Sequence, residues 1–254
     1  MQILKPLFIA FSIYSKISVP QFQWEEEDMK YMMCFFPWIG AVIGGALYLW
    51  FWISARLGVG RLCHTLIGAA IPLLITGGFH VDGFMDTMDA FHSYQPREKK
   101  LEILKDPHIG AFSVIMLAVY GMVFLGAFSE VKDMDLVRIV CAGFFLARTL
   151  SGIGVVSFKS AKHDGLLFTF ANGSHKARVR VILYFQCVLA VGFMIRQSVM
   201  GGILVACTAF AVFGYYYWKC KKELGGITGD TAGFFVSVCE LFMVMAAAVI
   251  NLLR

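Results

Sequence analysis

Residues 77–89 read GGFHVDGFMDTMD. Asp82, Asp86 and Asp89 stand at i, i+4 and i+7, so a helix over 80–91 puts all three carboxylates on one face. Like charges at that spacing repel and weaken the helix unless something neutralises them. A divalent cation does so, and oxygen donors with no thiolate beside them suit Mg²⁺ or Mn²⁺ rather than zinc. A solvated loop with casual acidic residues is the plainer reading. It explains neither the shared face nor Gly77, Gly78 and Gly83, which permit close backbone approach to a ligand. His80 precedes the aspartates. Metal ligand, hydrogen-bond partner of a phosphate, general base and simple cap are all open to it.

Other loops carry groups of complementary chemistry. Lys105 and Asp106 precede Pro107-His108-Ile109-Gly110, at the mouth of an apolar run, where a cation could meet a phosphate. The stretch FKSAKHDG pairs Lys162 and His163 with Asp164 and Gly165. Further on, GGITGD sets Gly225, Gly226 and Gly229 around Thr228 and Asp230. A glycine-rich turn before a helix offers backbone N–H groups to an anion. The turn lacks the GK[ST] of a P-loop, so a Walker-type ATPase is not supported. Arg148 and Glu240 lie inside apolar runs, where ionisable residues face a polar cavity or a partner. The expectation is that both line a cavity below the loops, with Glu240 counted among the metal ligands. A structural Arg148–Glu240 ion pair is the alternative.

The elements that must position these groups are apolar. Of 254 residues, 59% are hydrophobic and 15% charged, with mean hydropathy +0.72. Soluble domains carry about a quarter charged residues. The composition therefore implies an all-α, polytopic helical membrane protein in a single integral domain over 1–254. The apolar runs are continuous rather than alternating, which excludes a transmembrane barrel. Seven spans are expected, at 33–54, 60–79, 110–128, 135–157, 180–196, 199–218 and 232–253. Residues 3–15 are too short to span and predict an interfacial or re-entrant helix. No small-residue cleavage site follows them, so no signal peptide is expected. WEEEDMKYMM, residues 24–33, predicts an amphipathic approach to the first span. The cysteines form no CxxC and sit mostly in apolar runs, as small hydrophobes.

Charge orients the bundle. The N-terminus and the loops 80–109, 158–179 and 219–231, with their span ends, hold most of the Lys and Arg, including Lys99, Lys100, Lys105, Lys162, Lys176, Lys221 and Lys222. The opposite loops and the C-terminus hold Arg56, Arg61, Lys132, Arg138, Arg196 and Arg254. By the positive-inside rule the loops with chemistry face the cytoplasm, in a cell membrane. The lipid bilayer is then one partner and small molecules are the others. Nucleic acid is not expected, and a homo-oligomer is left open.

Acidic residues able to hold a metal thus share one side with basic groups and glycine turns able to hold phosphates. That combination fits phosphoryl or phosphodiester transfer, the metal neutralising developing charge. A cation-coupled transporter would spread its carboxylates through the bilayer midplane instead. An intramembrane protease would place two aspartates, or a nucleophile and base, within the spans.

GGFHVDGFMDTMDAF, KDPHIGAF and GGITGDTAGF together resemble the cobalamin synthase family of adenosylcobinamide-GDP ribazoletransferases. The early KISVP and PWIGAVIGG are similar to that family's N-terminal region, so the resemblance runs over nearly the whole chain. Lys162 stands where the family usually has arginine. The resemblance implies a reaction. A ribose 3′-hydroxyl of α-ribazole, or of its 5′-phosphate, attacks the cobinamide-side phosphorus of adenosylcobinamide-GDP. GMP leaves, and adenosylcobalamin or its 5′-phosphate forms. It also implies Mg²⁺ and a cytoplasmic site. His80, Asp82, Asp86, Asp89 and Asp230 become the expected catalytic residues. Lys105, Arg148, Lys162, Gly225, Gly226, Thr228 and Gly229 become the expected substrate or phosphate contacts. The aspartate cluster is also similar to the metal site of CDP-alcohol phosphotransferases, which keeps another phosphotransferase of that type as an alternative.

Overall fold

A computed structural model of the chain describes residues 4–20, 23–162 and 175–253. The described elements are helices, in the order α1 (Lys5–Tyr14), α2 (Glu26–Met29), α3 (Phe36–Arg56), α4 (Arg61–Thr76), α5 (Phe79–His92), α6 (Arg97–Ile103), α7 (Ala111–Glu130), α8 (Met134–Ser157), α9 (Lys176–Gln197), α10 (Val199–Leu224) and α11 (Gly229–Leu252). A short 3₁₀ turn, Met32–Cys34, leads into α3. Six of them, α3 and α7 to α11, are long and apolar enough to cross a bilayer. Counting the broken pair α4–α5 as one span makes seven.

The bundle is built around α8, which packs against α3, α9 and α11. Its residues from Leu146 to Val156 are buried without a break. Burial all round requires a helix with no polar face, which this segment satisfies apart from Arg148, Thr149 and Ser151. At the α3 contact, Gly40 and Gly44 face the backbone of Phe144 and Cys141 directly. Small residues four apart let helix backbones approach closely, which matters in lipid, where no hydrophobic force drives helices together. The outer helices α7 and α9 turn Val114, Ile115, Met122, Phe185 and Val188 outward, the apolar surface a bilayer requires.

Local signals set the ends. Asp133 caps α8, its carboxylate accepting from the N–H groups of Asp135 and Leu136. Thr228 caps α11 reciprocally with Thr231. The span expected over 60–79 falls on α4, the first half of a bent pair. α4 stops at Thr76, and the next helix leaves at 91°. The cause is Gly77 and Gly78, both left-handed, with φ of 66° and 81°. These glycines make a corner. Past the corner, α5 lies over the same end of the bundle as the starts of α3, α7 and α11.

Helix α1 is buried at Ile9 and Ala10 and ties to α2 through Lys5 and Asp28. At ten residues it does not span, in line with the sequence reading. The α3–α8 contact yields a test. Gly40→Ala should lower the thermal midpoint in detergent by several degrees, because its Cβ would overlap the Phe144 carbonyl. Gly45→Ala, whose Cβ meets open space, should leave the midpoint unchanged or raise it slightly.

Candidate active site

The corner at Gly77-Gly78 carries α5 across the N-terminus of α11. At the crossing, a Cβ on Gly83 would stand 2.6 Å from the Asp230 carbonyl oxygen, so glycine alone allows this approach. Asp230 thereby comes to the aspartate face of α5. A cavity of about 290 Å³ opens there, lined by Asp82, Gly83, Lys162, Thr228, Gly229 and Asp230, and on its far wall by Tyr14, Met33, Phe36, Phe79, His80, Ser151 and Val155.

Helix 80–91 is present as expected, and its three aspartates meet different surroundings. Asp82 lines the cavity. Asp86, one turn on and half-buried, has its carboxyl pushed up to about 6. Burial is the largest cause, followed by the charges of Asp82, Asp230 and Asp89, with Lys162 opposing. Asp89 is held by another helix. Its two oxygens accept from the N–H groups of Gly110 (2.7 Å) and Ser113 (3.0 Å), capping α7 from outside. Any Cβ at Gly110 would overlap that carboxylate, so the glycine of KDPHIG is there for Asp89. Among the described residues, no three His, Cys, Asp or Glu side chains are already drawn into a metal-ligand cluster.

The loop residues divide as well. Lys162 reaches Asp230 Oδ2 at 3.5 Å and the Leu104 carbonyl at 3.4 Å. Thr228 Oγ1 donates to Asp230 Oδ2 at 3.3 Å. Gly229 leaves open space on the cavity side. Gly226 faces the protein's own backbone, since its Cβ would stand 2.5 Å from the Lys159 carbonyl oxygen. There the two loops pair. Ala161 N–H donates to the Ile227 carbonyl (2.8 Å), and Ile227 N–H to the Lys159 carbonyl (2.9 Å). Gly225 ends α10 in the left-handed conformation, φ 72°, against Arg97. Lys105 is exposed, away from the cavity lining. His163, Asp164 and Gly165 lie outside the described residues.

Glu240 and Arg148 do not join the aspartates. They pair with each other at 2.6 Å, side chains 8% and 1% exposed, and Arg148 also donates to the Phe144 carbonyl. Glu240 lies about 16 Å along α11 from Gly229, at 1.5 Å per residue. The ion pair that stood as the alternative is therefore formed, and both residues also line a second cavity of about 280 Å³ beneath His80. His80 is buried with neither ring nitrogen hydrogen-bonded. It does not act as a cap. Sequence reasoning missed the aromatic wall of Tyr14, Phe36 and Phe79. Its residues come from three separate segments and look like ordinary apolar positions.

Fold and site define an integral-membrane protein whose cavity, rich in carboxylates, opens at one end of a helical bundle. The chain belongs to the cobalamin-5-phosphate synthase family, which it matches over residues 6–248. Its relatives are named adenosylcobinamide-GDP ribazoletransferase, and the chain is accordingly a transferase. One, from Lachnoclostridium phytofermentans, is 43% identical over 98% of this chain and 95% of that one. Another, from Clostridium perfringens, is 32% identical over 97% and 98%. A third, from a Geobacillus species, is 30% identical over 88% and 87%. No solved structure matches the chain.

The surroundings of Asp86 predict a pH dependence. Its folded pKa of about 6 lies above the ordinary carboxylate value of 3.8. The folded state therefore holds the proton more tightly, and stability falls as pH rises through about 6. With divalent cations chelated, the thermal midpoint in detergent should drop between pH 5 and pH 7.5. Asp86→Asn should flatten that drop and be the more stable protein at pH 7.5.

Proposed function

We propose that this transferase moves the adenosylcobinamide phosphoryl group of adenosylcobinamide-GDP to the 3′-hydroxyl of α-ribazole or its 5′-phosphate, releasing GMP in the assembly of the cobalamin nucleotide loop. The observation that carries the reading is the convergence of Asp82 and Asp230 with Lys162 at one cavity, with Asp86 near enough to feel the charges of all three. The relatives' printed names agree with it.

Mg²⁺ is the proposed cofactor. The donor set is all oxygen, and Asp86, raised first by burial, also feels the charges of Asp82, Asp230 and Asp89. Asp82, Asp86 and Asp230 would hold the ion. Asp89 would act one step back, fixing α7 against α5, and Glu240 would stay with Arg148. When bound, the ion neutralises diphosphate oxygens and the charge that develops on the leaving phosphate.

The chain's own groups do the rest. Lys162 is a cation at the cavity wall, placed for a phosphate oxygen. The N-terminus of α11, open at Gly229, favours negative charge by its dipole. A carboxylate lining the cavity, Asp82 or Asp230, orients the attacking hydroxyl and accepts its proton. The 3′-oxygen bonds to the cobinamide-side phosphorus, and the bond from that phosphorus to the bridging oxygen breaks. GMP departs with that oxygen. The surplus of Lys and Arg at this end supports a cytoplasmic site in the cell membrane.

Purified protein with adenosylcobinamide-GDP, α-ribazole 5′-phosphate and Mg²⁺ should release GMP. Asp82→Asn and Asp230→Asn should each lower turnover at least about a hundredfold. Independently of activity, Mg²⁺ should raise the wild-type thermal midpoint at pH 7.5. The rise should shrink in both variants, and no GMP from wild type would overturn the proposal. Sidedness is read by labelling. In a chain freed of native cysteines, Glu98→Cys should react with an impermeant thiol reagent only in inverted vesicles, and Lys132→Cys only in right-side-out ones.

A further inference from the structure

The cavity has two chemically distinct ends, and only the carboxylate end is used by the reaction above. The other end is a wall of rings. Tyr14 packs on Phe36 at 4.5 Å between centroids and on Phe79 at 5.3 Å, edge to face. Phe36 lies nearly parallel to the His80 imidazole at 5.7 Å, and Phe79 meets that ring at 5.7 Å edge-on. Met33 and Val155 complete the apolar lining. His80 is 5% exposed, forms part of this wall, and has no hydrogen-bond partner at either ring nitrogen. A buried imidazole left so is costly unless a ligand supplies the missing bond.

We infer that this aromatic wall is the seat of the heteroaromatic base of the acceptor nucleoside, with His80 donating a hydrogen bond to the base's one free ring nitrogen. The inference rests on the transferase reading above and names where one substrate sits. Two planar bases compete for the site in that reaction. Guanine presents a ring N–H, an amino group, a carbonyl and further ring nitrogens, and each must be paired when water is excluded. The wall has too few groups to pair them all. Beyond the carboxylate end its polar side chains are Tyr14, His80, Ser151 and Ser160, and Ser160 already donates to the Lys162 carbonyl at 2.6 Å. The dimethylbenzimidazole of α-ribazole has an apolar body and a single free acceptor nitrogen. One histidine satisfies it, and rings and aliphatic groups cover the remainder. The cavity volume of about 290 Å³ is near the lower end of the range for small-ligand sites and suits a nucleoside. With its base on the wall, the ribose lies toward Asp82 and Asp230, where the attacking hydroxyl is needed.

The test compares α-ribazole with its dimethylindole analogue, in which the free ring nitrogen is replaced by CH. Binding to purified protein in detergent is measured by titration calorimetry, and GMP release is followed in parallel. Wild type should bind the analogue about tenfold more weakly than α-ribazole. His80→Ala should bind both alike, and Phe79→Ala should raise the KM for α-ribazole about tenfold while leaving that for adenosylcobinamide-GDP within about twofold. Equal wild-type affinity for the two nucleosides overturns the inference without any variant needing to fold. So does a rise confined to the KM for adenosylcobinamide-GDP, which would give the wall to the guanine nucleotide. Wild type that binds α-ribazole with the expected preference but releases no GMP would overturn the reaction and leave the base site standing.

Discussion

The crossing of α5 over α11 is the constraint on which the site depends. It joins an acidic helix near residue 85 to a carboxylate at residue 230. It exists because Gly83 lets the two backbones approach to a distance no side chain allows. The corner at Gly77-Gly78 aims α5 at that crossing, and Asp89 holds its far end against α7. The cost of the arrangement is visible in Asp86, whose carboxyl is driven up by burial and by its neighbours. Partial burial and neighbouring carboxylates each make the charged form of Asp86 costly.

Beneath this end, the Arg148–Glu240 pair fixes the two most buried helices. Its members come from α8 and α11, and both are almost wholly out of contact with solvent. Such a pair is weak evidence for stability, because desolvation offsets much of the attraction, but removing one partner strands the other charge at a cost of about 3–5 kcal/mol. The pair joins α8 to α11, the two helices that bring Ser151 and Asp230 to the same cavity. The pair lines the second cavity, between α4 and α7, and His80 lines both that cavity and the one beside Asp82 and Asp230.

The loop that pairs with the GGITGD turn contributes by a different device. Two short backbone hydrogen bonds between residues 159–161 and Ile227 stitch it to the start of α11, and Gly226 is the residue that leaves room for them. Lys162 is carried to Asp230 by this stitch. A cation on a long, flexible side chain needs such an anchor before it can be placed against a phosphate.

The sequence by itself determined the helices and the acidic face. Apolar length and the i, i+4, i+7 spacing are local properties, and both survive folding unchanged, so the six long helices and the aspartate helix were legible residue by residue. The motifs also sufficed to name the family. What folding decided was the partner of each polar group. Asp89 caps α7, Glu240 answers Arg148, Gly226 admits a backbone, and His80 stands unpaired in a wall of rings. Of these, only the Arg148–Glu240 pair stood among the sequence readings, and there as the alternative. Each joins segments tens of residues apart, and the low dielectric of the bundle makes the choice of partner, rather than the type of residue, set the energy and the chemistry of a buried polar group.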